Sequence, residues 1–120
     1  MTRRMEKVHG LVQTELAELL QREVKDPALQ GVVLSITRVE VSPDLANARV
    51  HVSVLAEAEV EETALAALRR AEPYLHRQLV GRLHMRRVPR LRFIADHSMA
   101  EADRISALMR EVARSEGREL

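Results

Sequence analysis

The chain has 120 residues, of which 46% are hydrophobic and 31% are charged, and its formal net charge is +1. This length is typical of a single domain, and the apolar fraction suffices for a hydrophobic core. The lack of cysteine excludes disulfides and thiolate zinc sites. No apolar run approaches the ~18 residues that a membrane span requires, so we expect a cytoplasmic protein that does not enter the membrane.

Helical spacing of apolar residues predicts a first helix from Arg3 to about Lys25. Asp26-Pro27 ends it, because the residue before a proline is disfavoured in the α region. The β-branched run from Val32 to Val41 then predicts a strand. Its apolar phase changes in the middle, which indicates either a strand buried on both faces or a bulge near Thr37-Arg38.

The second predicted strand alternates cleanly between apolar and polar residues. Ser42-Pro43-Asp44 supplies turn chemistry before it. The apolar positions are Ala48, Val50, Val52 and Val54. We therefore expect an antiparallel hairpin with one face exposed to solvent.

A second helical region begins at the acidic run from Glu57 to Glu62, which favours a helix N-terminus. Helical spacing continues to Leu83, but Pro73 falls inside it. A proline in mid-helix removes one hydrogen bond and clashes with the preceding turn, at a cost of about 3 kcal/mol. The pattern predicts two helices, or one sharply kinked helix, that meet at Ala71, Glu72 and Pro73.

A third strand is predicted from Val88 to Ala95, with Leu91 and Phe93 on one face. Ser98 to Glu101 has the pattern of a capping box for a last helix. The apolar stripe of that helix is Ile105, Leu108, Met109 and Val112.

The predicted order is α-β-β-α-α-β-α, which is typical of an α+β domain whose three-stranded sheet is covered by helices on one face. We expect the domain to comprise residues 1–114 and a short flexible tail to comprise residues 115–120.

The segment from Arg69 to Arg92 contains eight arginines and one acidic residue, Glu72, for a net charge of +7. The other 96 residues carry 11 basic and 17 acidic side chains, for a net charge of −6. One basic surface on an acidic body is typical of a protein that binds a polyanion. The alternatives are a solvated basic face, paired with the acids of residues 57–62, and a module that docks an acidic protein.

Aromatic residues are nearly absent, since the chain has only Tyr74 and Phe93. Readers of single-stranded RNA stack bases on aromatic platforms. We therefore expect phosphate and sugar contacts that sense the shape of folded RNA and that weaken as salt increases.

The sequence predicts no catalytic residue, metal site or cofactor, and no small-molecule substrate. Asp96-His97-Ser98 contains the residue types of a triad, but three consecutive residues cannot adopt triad geometry. The five histidines lack the spacing of metal ligands.

With these segments placed, the chain resembles the family of bacterial ribosome-binding factor A. The similarity is strongest over residues 35–45, 48–54, 82–93 and 96–98, and at Arg104-Ile105. The resemblance implies a type II KH-like fold and a non-catalytic factor that associates with free small (30S) ribosomal subunits and their 16S rRNA. It also implies a role in late rRNA processing and subunit maturation, and in cold adaptation.

The chain departs from the family at the predicted kink. The family has Ala-x-Gly there, whereas this chain has Ala71-Glu72-Pro73. Proline would preserve a kink by a different mechanism from glycine. A later family glycine is also replaced, within Glu101-Ala102-Asp103.

The residues that we predict to bind RNA are basic and come from the first helix and from the arginine-rich segment. They are Arg3, Arg4, Lys7, Arg69, Arg70, Arg77, Arg82, Arg86, Arg87 and Arg90. A general KH-type binder of structured RNA and a protein-interaction module are the alternative functions. Nothing in the sequence requires a dimer, and we expect a monomer.

Overall fold

The computed structural model describes residues 3–22 and 24–117 of the chain. Its elements are α1 (Arg3–Arg22), a short 3-10 helix (Pro27–Leu29), β1 (Val33–Val41), β2 (Asn47–Leu55), α2 (Ala58–Arg82), β3 (Arg90–Ala95) and α3 (Ser98–Ser115). This is the predicted α+β class. Residues 118–120 of the predicted tail lie outside the described part of the chain.

The three strands form one sheet in the order β1-β2-β3. β1 and β2 are antiparallel, whereas β3 runs parallel to β2 and is reached through the crossover helix α2. The register between β1 and β2 shifts between Ile36 and Arg38. Thr37 is therefore the extra residue of a β-bulge, which confirms the bulge interpretation of the phase change.

The core lies between the sheet and the two helices α1 and α2. Leu16 of α1 and Leu68 of α2 are fully buried, and Phe93 of β3 is 1% exposed. Leu91 and Phe93 face this core, while Arg90 and Arg92 are exposed, as the alternation of β3 predicts. Tyr74 is half-buried and packs against the core.

Side chains of α1 also contact the outer edge of β1. The backbone N–H of Val41 donates to Nε2 of His9 at 3.1 Å, and Nε2 of Gln13 lies 3.4 Å from the carbonyl oxygen of Ile36. Exposed backbone groups on an outer strand can pair with another chain. α1 therefore covers part of an edge as well as one face of the sheet.

α2 continues through Pro73 as a single helix of 25 residues, so of the two predicted alternatives the pair of separate helices is wrong. The helix persists because residues on both sides of the proline are held in the core: Leu68, Leu75 and Leu79 are all fully buried. Burial of each leucine contributes about 1.5–3 kcal/mol. Together these contributions exceed the ~3 kcal/mol that the proline costs.

The predicted capping box at the start of α3 is wrong. His97 occupies the N-cap position and makes no side-chain capping bond, and Ser98 is already the first residue of the helix. Instead, the backbone N–H of Ser98 donates to Oδ1 of Asp96 at 2.9 Å. An aspartate two residues before a free N–H reaches it in the same way as in an Asx turn.

α3 does not cover the sheet, contrary to the prediction for the helices. Its apolar stripe is exposed, at 53% for Ile105, 57% for Leu108, 58% for Met109 and 52% for Val112. The radius of gyration of 17.7 Å exceeds the ~14 Å expected of a compact chain of this length. α1 and α2 already fill the inner face of a three-stranded sheet, so α3 projects from the body.

None of the helices in the described part of the chain is long and apolar enough to cross a membrane.

Candidate nucleic-acid interface

The face of the sheet opposite α1 and α2 is open and carries polar side chains. The register between β2 and β3 pairs Arg49 with Arg92, and Asn47 with Arg90. Each of these residues is exposed, whereas its neighbours along the strand, such as Ala48 and Leu91, are buried. Side chains alternate across a strand, so Arg49 and Arg92 project from the same face on strands about 4.8 Å apart.

The acidic residue beside this pair already has other partners. Glu40 of β1 is opposite Arg49 in the register. Its Oε1 accepts a hydrogen bond from Arg38 at 2.7 Å and lies 2.8 Å from Nε2 of His51. Arg38 first, and His51 second, hold the pKa of Glu40 at about 2. Within residues 3–22 and 24–117, neither Arg49 nor Arg92 forms an ion pair.

Two side chains of α2 close the outer edge of β3. Oε2 of Glu72 accepts a hydrogen bond from the backbone N–H of Leu91 at 2.8 Å, and its Oε1 pairs with Arg90. Three residues earlier on the helix, Nη2 of Arg69 donates to the carbonyl oxygen of Phe93 at 3.1 Å. Glu72, the single acid of the arginine-rich segment, is therefore a buried structural carboxylate.

These contacts bring arginines from three elements to one place. Arg49, Arg69 and Arg92 line an open cleft of about 530 Å³, together with Phe93, Ile94 and Ala95. A second cleft of about 360 Å³ adjoins it along β3 and is lined in part by Arg69, Arg90 and Arg92. We call the residues Arg49, Arg69, Arg90 and Arg92 the β3 arginine cluster. Guanidinium groups in such an arrangement can bind phosphate or carboxylate through paired hydrogen bonds.

Two predicted RNA-binding arginines pair with acids elsewhere in the fold. Nη2 of Arg70 lies 3.3 Å from Oδ2 of Asp26, at the start of the 3-10 helix. The backbone N–H of Ala28 and then Arg70 lower the pKa of Asp26. Arg82 turns toward α1, where its Nη1 lies 3.3 Å from Glu15. Both arginines thus hold other elements against α2 and lie apart from the β3 arginine cluster.

The remaining predicted residues lie at three separate places. Arg86 and Arg87 belong to the segment before β3, and Nη1 of Arg87 donates to the carbonyl oxygen of Asp44 in the β1–β2 turn at 3.2 Å. Arg77 is exposed on α2, and the three predicted residues of α1 are exposed in its first two turns: Arg3, Arg4 and Lys7. The structure thus distributes the basic stretch over several surfaces.

Sequence reasoning missed Arg49, which lies outside the arginine-rich segment, and left Arg92 out of the site. The signal that would have found both is the strand alternation, since Arg49 shares the solvent-facing parity of β2 and Arg92 that of β3. What the sequence could not supply is the parallel register that makes them neighbours.

The Asp96-His97-Ser98 sequence serves the fold. Oδ2 of Asp96 accepts a hydrogen bond from the hydroxyl of Thr37 at 2.5 Å, and this contact is the first cause that holds its pKa at about 2. Nε2 of His97 lies 2.7 Å from Glu61, which raises the pKa of His97. Across residues 3–22 and 24–117, no group of three or more potential ligands could hold a metal ion.

Comparison with known proteins gives one consistent result. The family described as Ribosome-binding factor A matches residues 4–109. The ribosome-binding factor A of Thermomicrobium roseum is 37% identical over 116 residues, which are 97% of this chain and 88% of that protein.

Comparison with known structures extends this result to the fold. The crystal structure of ribosome-binding factor A from Thermus thermophilus is 36% identical, with a TM-score of 0.67 over 76% of this chain and 93% of that one. A homology model of the Thermus thermophilus factor, fitted into a cryo-electron microscopy map of its 30S complex, is 37% identical, with a TM-score of 0.61 over 74% of this chain and 91% of that one.

Proposed function

We propose a function from one premise: the chain belongs to the ribosome-binding factor A family. It is a ribosome-binding factor whose partner is the small (30S) ribosomal subunit. We infer that it contacts the 16S rRNA of free small subunits and assists late rRNA processing without catalysing a reaction. The observation that carries the assignment is the similarity to a relative whose homology model was fitted into a map of a 30S complex.

The charge distribution supports binding to RNA. The net charge of the chain is only +1. Several arginines are nevertheless exposed, namely the β3 arginine cluster, Arg77, Arg86 and Arg87. Of these residues, the β3 arginine cluster forms a localised basic surface that attracts the phosphate backbone. The exposed basic residues elsewhere offer further places for phosphate contacts.

Sedimentation of the purified protein with isolated small subunits, large subunits and whole ribosomes, over a series of salt concentrations, tests this function. We expect selective co-sedimentation with free small subunits that weakens steeply as salt increases. Equal binding to all three particles would instead indicate a general binder of structured RNA. Absence of binding at every salt concentration would indicate a protein partner for the basic surface.

A charge reversal tests the contribution of the two arginines in the segment before β3. We expect Arg86→Glu with Arg87→Glu to weaken co-sedimentation at moderate salt, because two exposed cations become anions. The matched control is Arg110→Glu with Arg114→Glu, which makes the same change in net charge on the projecting helix α3. Equal loss in both variants would attribute the effect to net charge alone.

We further propose that the protein acts in the cytoplasm and supports growth in the cold. A strain that lacks it should accumulate immature 16S rRNA and grow slowly at low temperature. Complementation by the wild-type chain, but not by the Arg86→Glu, Arg87→Glu variant, would connect that phenotype to binding.

A further inference from the structure

We propose that Arg49, Arg69 and Arg92 form a binding site for a backbone phosphate of structured RNA, at the β3 side of the open sheet face. That the ligand is RNA rests on the proposed function. That the contacted group is a phosphate is inferred from the geometry of the cleft. The site lies partly outside the arginine-rich segment, since Arg49 comes from β2.

Neighbouring acids leave this positive charge uncompensated. Glu40 is bound by Arg38 and His51, at 2.7 and 2.8 Å. Glu72 is bound by Arg90 and by the backbone of Leu91. These two carboxylates beside the cleft therefore have their own partners, and the three arginines that line it keep a local excess of positive charge.

Arg49 and Arg92 bring two like charges to neighbouring positions on the sheet. They are partners in the register between β2 and β3 and project from the same face. Like charges at facing positions on adjacent strands destabilise a sheet. An anion between them would convert this repulsion into two charge-assisted interactions.

The third arginine is held in place before any ligand arrives. Nη2 of Arg69 donates to the carbonyl oxygen of Phe93 at 3.1 Å. A guanidinium group has five N–H donors, so the others stay available for an oxygen in the cleft. Because Arg49 and Arg92 stand on paired strands, binding orders little additional backbone.

The lining of the cleft favours phosphate over a base. Phe93 contributes its backbone but only 1% of its surface is exposed, so its ring cannot stack on a nucleotide. Stacking platforms and base-edge contacts give sequence readout, whereas arginines without an aromatic partner bind the backbone. The site therefore senses where a phosphate lies and contributes no base preference.

The test is a double variant in which Arg49→Gln is combined with Arg92→Gln. The control combines Arg110→Gln with Arg114→Gln and changes the net charge by the same amount. Fluorescence anisotropy with a short RNA hairpin measures affinity over a salt series. We expect the site variant to bind at least about tenfold more weakly than the control. We also expect the slope of log affinity against log salt to decrease by about one for each phosphate that the variant no longer binds. Affinity and slope equal to those of the control would overturn the site.

Thermal unfolding without RNA separates a binding role from a structural one. Removal of the like-charge pair should leave the unfolding midpoint unchanged or raise it. A lower midpoint together with weaker binding would identify Arg49 and Arg92 as structural residues and overturn the proposal.

Sedimentation of both variants with small subunits distinguishes this inference from the proposed function. If the wild type binds small subunits selectively and the site variant binds equally well, the site is wrong and the function stands. If the wild type is not selective for small subunits but the site variant loses hairpin affinity, the site stands and the function is wrong.

Discussion

Glu72 of α2 accepts a hydrogen bond from the backbone N–H of Leu91, with 2.8 Å between Oε2 and the nitrogen. A helix carboxylate thus takes the position that a fourth strand would occupy beside β3. Arg69 of the same helix donates a hydrogen bond to the carbonyl oxygen of Phe93 on this edge. This arrangement fixes α2 against the sheet next to Pro73, where the helix lacks one of its own hydrogen bonds.

Glu72→Ala should lower the free energy of unfolding by about 1–3 kcal/mol, because it leaves the N–H of the buried Leu91 without an acceptor. Glu72→Gln should cost less, since its amide oxygen can still accept that bond. Urea denaturation measures both values. The control, Glu62→Ala, removes an exposed carboxylate from the same helix, and an equal loss there would contradict the role given to Glu72.

Pro73→Ala and Pro73→Gly should both fold, and the alanine variant should be the more stable by about 1 kcal/mol. Either residue restores an N–H for the helix, but glycine loses more conformational freedom in a continuous helix. Thermal or urea unfolding of the two proteins gives the difference. A more stable glycine variant would show that this position needs a backbone conformation other than the continuous helix of the structure.

Stability should fall as the pH decreases from 4.5 toward 2, partly through Glu40. Arg38 and His51 lower the pKa of this carboxyl from 4.5 to about 2. A carboxyl with a depressed pKa in the folded state stabilises the protein above its unfolded pKa, and this contribution is lost as the pH falls through the folded value. The stability of Glu40→Gln should therefore depend less on pH between 4.5 and 2 than that of the wild type, as measured by the midpoints of urea unfolding.

The matched control for this pH series is Glu59→Gln, which removes an exposed carboxylate from α2. Between pH 4.5 and 2, the stability of Glu40→Gln should depend less on pH than that of this control. Equal slopes for the wild type and Glu40→Gln would contradict the contribution assigned to Glu40. Asp96, whose pKa is also held at about 2, should account for part of the dependence that remains.

A chain that ends after His97 should keep the fold of the remaining residues. α3 packs against none of the other described helices and strands, and its stripe is exposed. We expect the thermal midpoint to change by less than about 4 °C, the shift that ~1 kcal/mol produces in a domain of this size. A loss of cooperative unfolding would show that α3 contributes to the core.

The sequence predicted the strands because their signals are local. Alternation placed Leu91 and Phe93 inside, and the phase change at Thr37 located the bulge. Pro73 left two helices or one kinked helix open, and burial of leucines on both sides favours a single helix because it outweighs the cost of the proline. The position of α3 also escaped prediction, since an apolar stripe indicates a buried face but does not identify what buries it.

The candidate site was predictable only in part. The density of arginines pointed to a polyanion, but charge counted along the chain does not show which arginines meet. Arg82 pairs with Glu15, which is 67 residues away in the sequence, and Arg70 pairs with Asp26, which is 44 residues away. Arg49, outside the segment, joins Arg92 only through the parallel pairing of β2 with β3.

The contacts of His9 with Val41 and of Glu72 with Leu91 lie at opposite edges of the same sheet. Each outer strand thus offers fewer free backbone groups to a strand from another copy. Growth of the sheet from molecule to molecule, which is the first step toward fibrils, is disfavoured in both directions.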